Sequence, residues 1–401
     1  MLFQRESKIA ASIYKDWAKQ AINSNNMEYG EFWGRYWNNN KEIFCDPEFY
    51  LSFFDHERWN VKEFCDHNNP FYIKYSKGNY QAQINLFRTI SILTQTILSG
   101  FFKNNFEACP MLLDLFSALN SNFPLIFPGD PQYPVYYDDT RIKMHQRFKD
   151  KRIVTTMFGN RDVHNFYSFA LCHFTLNKTL EYNDKKRSIV EIGGGYGGLC
   201  CLNLLHNKEI EYVLVDLPEA SCIQLFVLLS IQDILGCDIE VLLEEEKWIK
   251  FPLNEKSEPT LKRVRIVPSN LFHSTEIQNI HTEVDAVLNF KSMMEMPPSE
   301  LNKYFNFINQ MPINSYFIAT NRYTKISNLV DYPLSDFWQF EYSYPHVIMA
   351  WHHDFVLKKI NSDTERFQDF YKQRINMYHE IWKKYNGIPP AEGFMINNLF
   401  S

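Results

Sequence analysis

The sequence predicts an α/β fold in which a doubly wound, mostly parallel sheet follows a helical N-terminal region. From residue 187 onward, short apolar runs that resemble strands alternate with helical segments, and this alternation is typical of parallel sheets joined by right-handed crossovers. Before residue 160, apolar residues recur three or four positions apart, as in 81–102, which is the spacing of one face of a helix. A sheet domain with a helical cap is therefore expected.

The alternating part of the chain gives a definite order of elements. The expected strands are 188–192, 212–216, 264–267, 284–290 and 315–320, and a closing hairpin joins 347–351 to 355–358. The expected helices are 165–182, 199–206, 218–235, 298–310 and 362–385. The charged stretch 244–263 interrupts the pattern and is expected to be an exposed loop insertion.

These elements divide the 401 residues into three parts. We expect a helical cap or substrate region at 1–160, a Rossmann-like domain at 161–360, and a C-terminal helix and tail at 361–401. Four prolines in 123–140 indicate a connector or a lid. Seven basic residues in 141–161 indicate either a solvated helix face or a surface that holds an anionic part of a substrate.

Composition excludes several classes of protein. The net charge of −6 argues against general binding of duplex nucleic acid, which needs a basic surface. The sequence has no run of about 20 apolar residues and no apolar leader after its first residues, so we expect a cytoplasmic protein without a membrane span. Its eight cysteines form no C-x-x-C pair, which favours free thiols over a zinc site or a disulfide framework.

A glycine cluster marks the expected ligand site. The chain has only 14 glycines, yet five lie within 193–198, in the run S-I-V-E-I-G-G-G-Y-G-G-L. A strand ends and a helix begins there, and glycine allows positive φ and close approach of backbone N–H groups to a ligand. In such sheets ligands bind at the carboxyl ends of the strands, so a nucleotide-like cofactor is expected at this turn.

The glycines fit two cofactor templates. One is the dinucleotide fingerprint G-x-G-x-x-G, and the other is the E/D-x-G-x-G-x-G signature of S-adenosylmethionine enzymes. Glu191 favours the second, because a carboxylate near the turn would repel a pyrophosphate but attract the ammonium and sulfonium groups of S-adenosylmethionine.

Other polar residues follow the neighbouring strands. Asp216 ends the second strand, where a carboxylate can accept both ribose hydroxyls, and 269–271 follows the third strand, where contacts to an adenine would fall. Taken singly, Ser269 and Asn270 also fit a turn or a helix cap. The residues expected to contact the cofactor are Glu191, Gly193, Gly194, Gly195, Gly197, Asp216, Leu217, Ser269, Asn270, Leu271 and Asn289.

Three stretches resemble the class I S-adenosylmethionine-dependent methyltransferases, and specifically the bacterial sugar O-methyltransferases. They are V-E-I-G-G-G-Y-G-G-L (190–199), V-D-L-P-E (215–219) and V-D-A-V-L-N-F-K-S-M-M-E-M-P (284–297). Residues 290–291 and 293–294 depart from the family pattern. The resemblance spans about 161–359. It implies a Rossmann-like methyltransferase sheet with an antiparallel last strand, S-adenosylmethionine as cofactor, and methyl transfer to a hydroxyl of a sugar or sugar nucleotide in a surface polysaccharide pathway.

A sugar hydroxyl is a poor nucleophile, so a general base is expected. The candidate bases are Glu295, His164 and His353, and the candidate substrate-binding residues are Arg161, Lys291, Arg322 and His352. No tight carboxylate cluster marks a metal site, so a metal-independent reaction is expected.

Other functions remain open at this point. An NAD(P)-dependent oxidoreductase or epimerase shares the fold and the glycine turn, although no Y-x-x-x-K dyad follows the fourth strand. A non-enzymatic relative would keep the fold alone. A phenol or an amine could replace the sugar as acceptor, but no N-P-P-Y motif follows Asn289. The expected partner is a small molecule, and whether identical copies assemble is not decided.

Overall fold

A nine-stranded sheet organises the computed structural model of the chain. The structure describes residues 3–24, 41–52, 172, 176, 179–180, 186–253, 260–274, 277, 280–345, 351–361 and 366–384. The strands are β1 Arg187–Ile192, β2 Ile210–Asp216, β3 Asp238–Glu244, β4 Lys247–Phe251, β5 Lys262–Pro268, β6 Ala286–Phe290, β7 Tyr316–Arg322, β8 Trp338–Pro345 and β9 His352–Lys359.

The strand order is β4-β3-β5-β2-β1-β6-β7-β9-β8. The strands β3, β5, β2, β1, β6 and β7 are mutually parallel, whereas β4 and β9 are antiparallel to their neighbours. The chain leaves β1 in one direction through β2 and β5 and in the other through β6 and β7, so the topological switch point lies between β1 and β6. A ligand crevice is expected at the carboxyl ends of those two strands.

This arrangement confirms the predicted fold class, a Rossmann-like α/β sheet that is mostly parallel and has an antiparallel last strand. The central strands are apolar on both faces, as in the buried run Val213–Val215 of β2, because helices cover both sides of a parallel sheet. The sheet differs from the all-parallel dinucleotide-binding order, since antiparallel β9 lies beside β7.

The described helices are α1 Gln4–Ser24, α2 Pro47–Ser52, α3 Gly198–His206, α4 Pro218–Ser230, α5 Gln232–Leu235, α6 Pro298–Asn309 and α7 Phe367–Lys384. The expected helix 218–235 is interrupted at Ile231, which has φ −129° and ψ 18°. Proline lies in the first turns of α4 and α6, where its missing N–H has no partner to lose. None of the described helices is long and apolar enough to span a bilayer.

The expectation that 244–263 is a loop insertion was wrong for part of that range. The strand β4 lies there and pairs with β3 at the edge of the sheet. The charges that suggested a solvated loop instead form ion pairs across the strands at this edge of the sheet. Glu240 of β3 contacts Lys250 of β4 and both Arg263 and Arg265 of β5. Charged side chains, lysines above all, are common on edge strands because they oppose pairing with other chains.

The closing hairpin exists, and its first described strand is β8, which pairs with β9. Of the strand expected at 347–351, residues 347–350 lie outside the described residues and residue 351 lies in a turn. Aromatic and polar residues alternate along β8, and this period of two is the mark of a strand. Trp338 is fully buried and donates from its indole nitrogen to Asn309 at 3.0 Å.

The first helix belongs to the core of the sheet domain. Tyr14 and Trp17 of α1 are buried among the residues of the single large core cluster. Tyr14 donates to Glu219 at 3.0 Å, and the indole nitrogen of Trp17 donates to the carbonyl of Leu242 at 3.1 Å. The expected cap at 1–160 stays a prediction, because most of that range lies outside the described residues, including 81–102, 123–140 and 141–161.

The C-terminal helix was expected at 362–385, and α7 lies within that range. Its Tyr371 donates to the carbonyl of Leu329 at 2.7 Å and stacks on Phe340 of β8. The helix thus packs against the antiparallel side of the sheet. Of the expected helix 165–182, only residues 172, 176 and 179 are described as helical.

Replacing Trp17 with phenylalanine tests whether α1 is part of the cooperative fold. The variant keeps most of the apolar contact but leaves the buried carbonyl of Leu242 without its donor. We expect the free energy of unfolding to fall by about 1–2 kcal/mol in urea titrations, with no change for Lys19→Ala on the exposed face of the same helix. Equal stability of Trp17→Phe and the wild type would contradict the role given to α1.

Candidate active site

The turn between β1 and α3 lies at the carboxyl end of β1, where the strand order predicts a ligand crevice. Gly193 has φ +76°, and a Cβ there would lie 1.9 Å from Oγ of Ser292. A Cβ on Gly194 would lie 2.6 Å from Cδ2 of Leu214. Both positions therefore need glycine for space, and Gly193 also for its left-handed backbone. These contacts hold the turn close to the ends of β2 and β6.

Gly195 differs from its neighbours because it faces open space. It has φ +57°, and a Cβ added there would meet no atom of the described residues within 4 Å. Gly197, with φ +88°, caps the start of α3. The turn thus leaves backbone exposed at the N-terminus of a helix, as expected for a ligand-binding turn.

Asp216 ties the end of β2 to this turn. Its Oδ2 accepts hydrogen bonds from N–H of Gly195 at 2.8 Å and from the amide of Gln224 at 3.3 Å, and its Oδ1 accepts from N–H of Leu217 at 2.8 Å. Desolvation raises the pKa of Asp216 to about 7, although the N–H groups of Leu217 and Gly195 act in the opposite direction. Both Asp216 and Leu217 are half-buried at the edge of the crevice.

Glu191 lies beneath the turn. Its side chain is buried, and its Oε2 accepts a hydrogen bond from the hydroxyl of Tyr212 at 2.7 Å. Desolvation raises the pKa of Glu191 to about 7, while the bond from Tyr212 lowers it in part. A Cβ on Gly194 would lie 3.4 Å from Cδ of Glu191, so this carboxyl lies directly beneath the turn. The expected contact of Glu191 with a cofactor stays a prediction.

Asn289 is also buried, and its hydrogen bonds join strands. Its Nδ2 donates to the carbonyl of Ile192 at 2.8 Å, and its Oδ1 accepts from Nδ2 of Asn321 at 2.7 Å. Ser292 donates to the same carbonyl of Ile192 at 3.0 Å. Asn289 thus links the ends of β1, β6 and β7, and the expected cofactor contact from it stays a prediction. Sequence reasoning missed Asn321, and its polar position at the end of an apolar strand was the available signal.

The expected adenine contacts lie in one 3₁₀ turn after β5. Ser269, Asn270 and Leu271 form this turn and are half-buried. Oδ1 of Asn270 is buried and has no hydrogen-bond partner among the described residues. An unsatisfied buried acceptor is costly, so a donor from a ligand would be favourable at this position.

Glu295 is the candidate base that the structure places at the carboxyl edge. It ends the 3₁₀ turn Met293–Glu295 that follows β6, and its Oε1 accepts a short hydrogen bond from Nζ of Lys325. The Glu295 side chain is 12% exposed and that of Lys325 is 27% exposed. Lys325 was not anticipated, because it lies in the loop after β7 and meets Glu295 only in the folded chain.

His353 does not reach the crevice. It is fully buried, with Nδ1 at 2.7 Å from the hydroxyl of Tyr323 and Nε2 at 2.8 Å from that of Ser343. Burial lowers its pKa well below the ordinary value. With both nitrogens engaged inside the protein, it cannot accept a proton from a substrate in this arrangement. The other candidates His164 and Arg161 lie outside the described residues.

The expected substrate-binding residues lie on adjacent segments of the same edge. Lys291 follows β6 in a left-handed conformation with φ 62°, and its N–H donates to the carbonyl of Thr320 at 2.8 Å. Arg322 ends β7 and pairs in register with His352, the first residue of β9. All three are half-buried. Among the described residues, no group of three or more His, Cys, Asp or Glu side chains could hold a metal ion.

No protein-family model matches the chain, and no curated protein sequence does either. Solved structures similar to it include the mitomycin 7-O-methyltransferase MmcR, at 9% identity and a TM-score of 0.30 over 63% of this chain and 73% of that one. An rRNA methylase from Streptococcus thermophilus is 12% identical with a TM-score of 0.30, over 50% and 98% of the two chains. MtNAS in complex with MTA and tNA is 12% identical with a TM-score of 0.33, over 81% and 98%. At TM-scores this low, the fold assignment rests on the strand order of this chain.

Replacing Glu191 with glutamine tests the burial of this carboxyl. Its raised folded-state pKa means that the ligand-free folded protein binds a proton more tightly than the unfolded chain, so stability is lost as pH rises from about 4.5 to about 7. We expect the wild type to lose roughly 1–3 kcal/mol relative to Glu191→Gln across this interval, measured by urea unfolding at several pH values. Exposed Glu283→Gln is the control, and parallel pH profiles of Glu191→Gln and wild type would contradict the assignment.

Proposed function

We propose that this chain is an S-adenosylmethionine-dependent methyltransferase that transfers a methyl group to a hydroxyl oxygen. The observation that carries the proposal is the glycine turn at the switch point. There, a Cβ at Gly195 would meet no atom of the described residues within 4 Å, while its N–H donates to the carboxylate of Asp216. A second carboxyl, Glu191, lies just beneath. The site thus combines a glycine turn with acidic groups and suits a cationic nucleoside.

The residues present fit the parts of this cofactor. Asp216 lies where a carboxylate can accept the two ribose hydroxyls. Asn270 has a buried carbonyl oxygen with no partner among the described residues, which can accept from an adenine amino group. Gly195 leaves room above the turn, and the half-buried Leu217 offers an apolar contact. A nearby cation would favour the ionised forms of Asp216 and Glu191.

The same features disfavour a dinucleotide. A pyrophosphate at the glycine turn would lie near Glu191 and Asp216, and like charges this close repel in a partly buried site. The antiparallel β9 beside β7 also departs from the dinucleotide-binding sheet. An oxidoreductase or epimerase is therefore the weaker candidate.

The chain's own residues would align the acceptor and remove its proton. When bound, S-adenosylmethionine supplies a methyl group on a positively charged sulfur that leaves as a neutral thioether. Alignment of the acceptor oxygen with that methyl supplies much of the rate. Glu295 would take the proton of the hydroxyl as the new oxygen–carbon bond forms, and Lys325 orients its carboxylate. His164 stays an alternative base.

We further propose a sugar or sugar nucleotide as acceptor and a surface polysaccharide pathway. Their support is the resemblance of 190–199, 215–219 and 284–297 to the sugar O-methyltransferases. Arg161, Lys291 and His352 are proposed to orient this acceptor.

Gly195→Ala and Gly236→Ala form a matched pair that tests the cofactor site. Both glycines have φ near +60°, and neither would place a Cβ within 4 Å of another atom. Each substitution should therefore cost about 1–2 kcal/mol of backbone strain. Gly195 lies in the turn proposed to bind the cofactor, whereas Gly236 is the C-cap of α5 and lies outside that turn. We expect Gly195→Ala alone to weaken S-adenosylmethionine binding by about tenfold or more, measured by isothermal titration calorimetry.

The same titrations decide the class of cofactor. Wild-type protein should bind S-adenosylmethionine and not NAD. Binding of NAD, or equal affinity of the two glycine variants for S-adenosylmethionine, would contradict the proposal.

Glu295→Gln and His164→Ala test the base. We expect substitution of the residue that acts as base to lower turnover by about 10²–10⁴-fold. The affinity of that variant for S-adenosylmethionine should be nearly unchanged. The measurement is transfer of a labelled methyl group to a panel of sugars and sugar nucleotides. Glu341→Gln, an exposed carboxylate on β8, is the control. Normal turnover in both variants would remove the base assignment.

A further inference from the structure

The carboxyl edge of the sheet has opposite charges on its two sides. Glu191 and Asp216 lie at the ends of β1 and β2, beside the glycine turn. Lys291, Arg322 and Lys325 lie at the ends of β6 and β7 or in the loops that follow them. If a cationic cofactor binds beside the acidic groups at the ends of β1 and β2, the basic groups at the ends of β6 and β7 are available to bind the acceptor.

Arg322 is the informative residue on the basic side. It is half-buried, and its Nε is buried without a hydrogen-bond partner among the described residues. No carboxylate in the described part of the chain lies within 4 Å of its guanidinium. By contrast, Arg263 and Arg265 on β5 of the same sheet each form ion pairs with glutamates, at 3.9 Å and at 2.6 Å respectively.

A partly buried guanidinium without a carboxylate is unfavourable. A guanidinium group, unlike an amine, does not escape the cost of burial by losing its proton. Asp354 lies on the neighbouring strand β9, but no ion pair joins it to Arg322. Its Oδ1 instead accepts a hydrogen bond from the hydroxyl of Thr320 at 2.7 Å. An anionic ligand would supply the missing partner.

Arg322 lies next to the candidate base. Its backbone N–H donates to Sδ of Met294 at 3.3 Å, and Met294 directly precedes Glu295. The charge of Glu295 is balanced by Lys325, so the positive charge of Arg322 is left to attract an anion. The strand end that carries Arg322 therefore adjoins the segment that carries the carboxylate proposed as base.

We propose that Arg322 binds an anionic group of the methyl acceptor, so that the substrate is a hydroxy compound that carries a phosphate or a carboxylate. The inference rests on the proposed function, because it assigns the basic side of the edge to the acceptor. The planar fork of the guanidinium matches both groups through paired hydrogen bonds. A phosphorylated sugar and a uronic acid are the two sources of this chemistry.

The test uses the full chain saturated with S-adenosylhomocysteine, the demethylated cofactor. Calorimetric titrations compare glucose 1-phosphate, glucuronate and neutral glucose. At least one anion should bind about tenfold or more tightly than glucose, and Arg322→Met should abolish that difference. Arg322→Lys should keep part of the preference for the anion, because lysine retains the positive charge but lacks the planar guanidinium that forms paired hydrogen bonds. Arg263→Met removes an equal charge from the other end of the sheet and should change nothing.

Each outcome supports or overturns the inference. Preference for glucose 1-phosphate identifies a phosphate, and preference for glucuronate identifies a carboxylate. Equal binding of glucose and both anions, no binding of either anion, or anion binding unchanged in Arg322→Met overturns it. Thermal unfolding and S-adenosylhomocysteine affinity of each variant show that the fold and the cofactor site are intact. If S-adenosylhomocysteine itself fails to bind, the proposed function fails, a result distinct from the loss of anion binding.

Discussion

The hydrogen bonds of Asn289 fix the geometry on which the rest of the site depends. Its amide donates to the carbonyl of Ile192 at the end of β1 and accepts from Asn321 on β7. Ser292 shares the same carbonyl and occupies the space of a missing Cβ at Gly193, so the glycine turn packs directly against the end of β6. The amide bonds are fully buried, where hydrogen bonds are strong and unsatisfied groups are costly. They join the end of β1 to the segment that leads to Glu295.

The two sides of the carboxyl edge of the sheet carry groups of opposite charge, which suit two different ligands. On one side, Glu191 and Asp216 are carboxyls whose pKa burial raises to about 7, so each is only partly ionised near neutrality. A cation that entered there would draw both groups toward their ionised forms. On the other side, Arg322 has a buried Nε without a hydrogen-bond partner among the described residues. The charge of the acidic side therefore depends on its ligand, whereas the basic side offers a guanidinium that an anion can pair with.

Local chemistry explains what the sequence could predict. The strands at the glycine turn were found because apolar runs ended in residues with an evident role, such as Gly193 and Asp216. The strand β4 was missed because its lysines resemble those of a solvated loop, although they lie on a sheet edge. The inward roles of Glu191, Asn289 and His353 could not be predicted, because their partners Tyr212, Asn321 and Ser343 come from other strands. Motif spacing gave the position of these side chains along the chain but not the face on which each points.

The contacts of α1 have a consequence for how the chain reaches its fold. The partners of Tyr14 and Trp17 lie 205 and 225 residues further along the sequence. At a synthesis rate of 5–20 residues per second, roughly 10–40 s separate the first helix from the partner of Tyr14. During this delay the apolar face of α1 has no core to join. The packing of α1 is thus completed only after the strands β2 and β3 have been made.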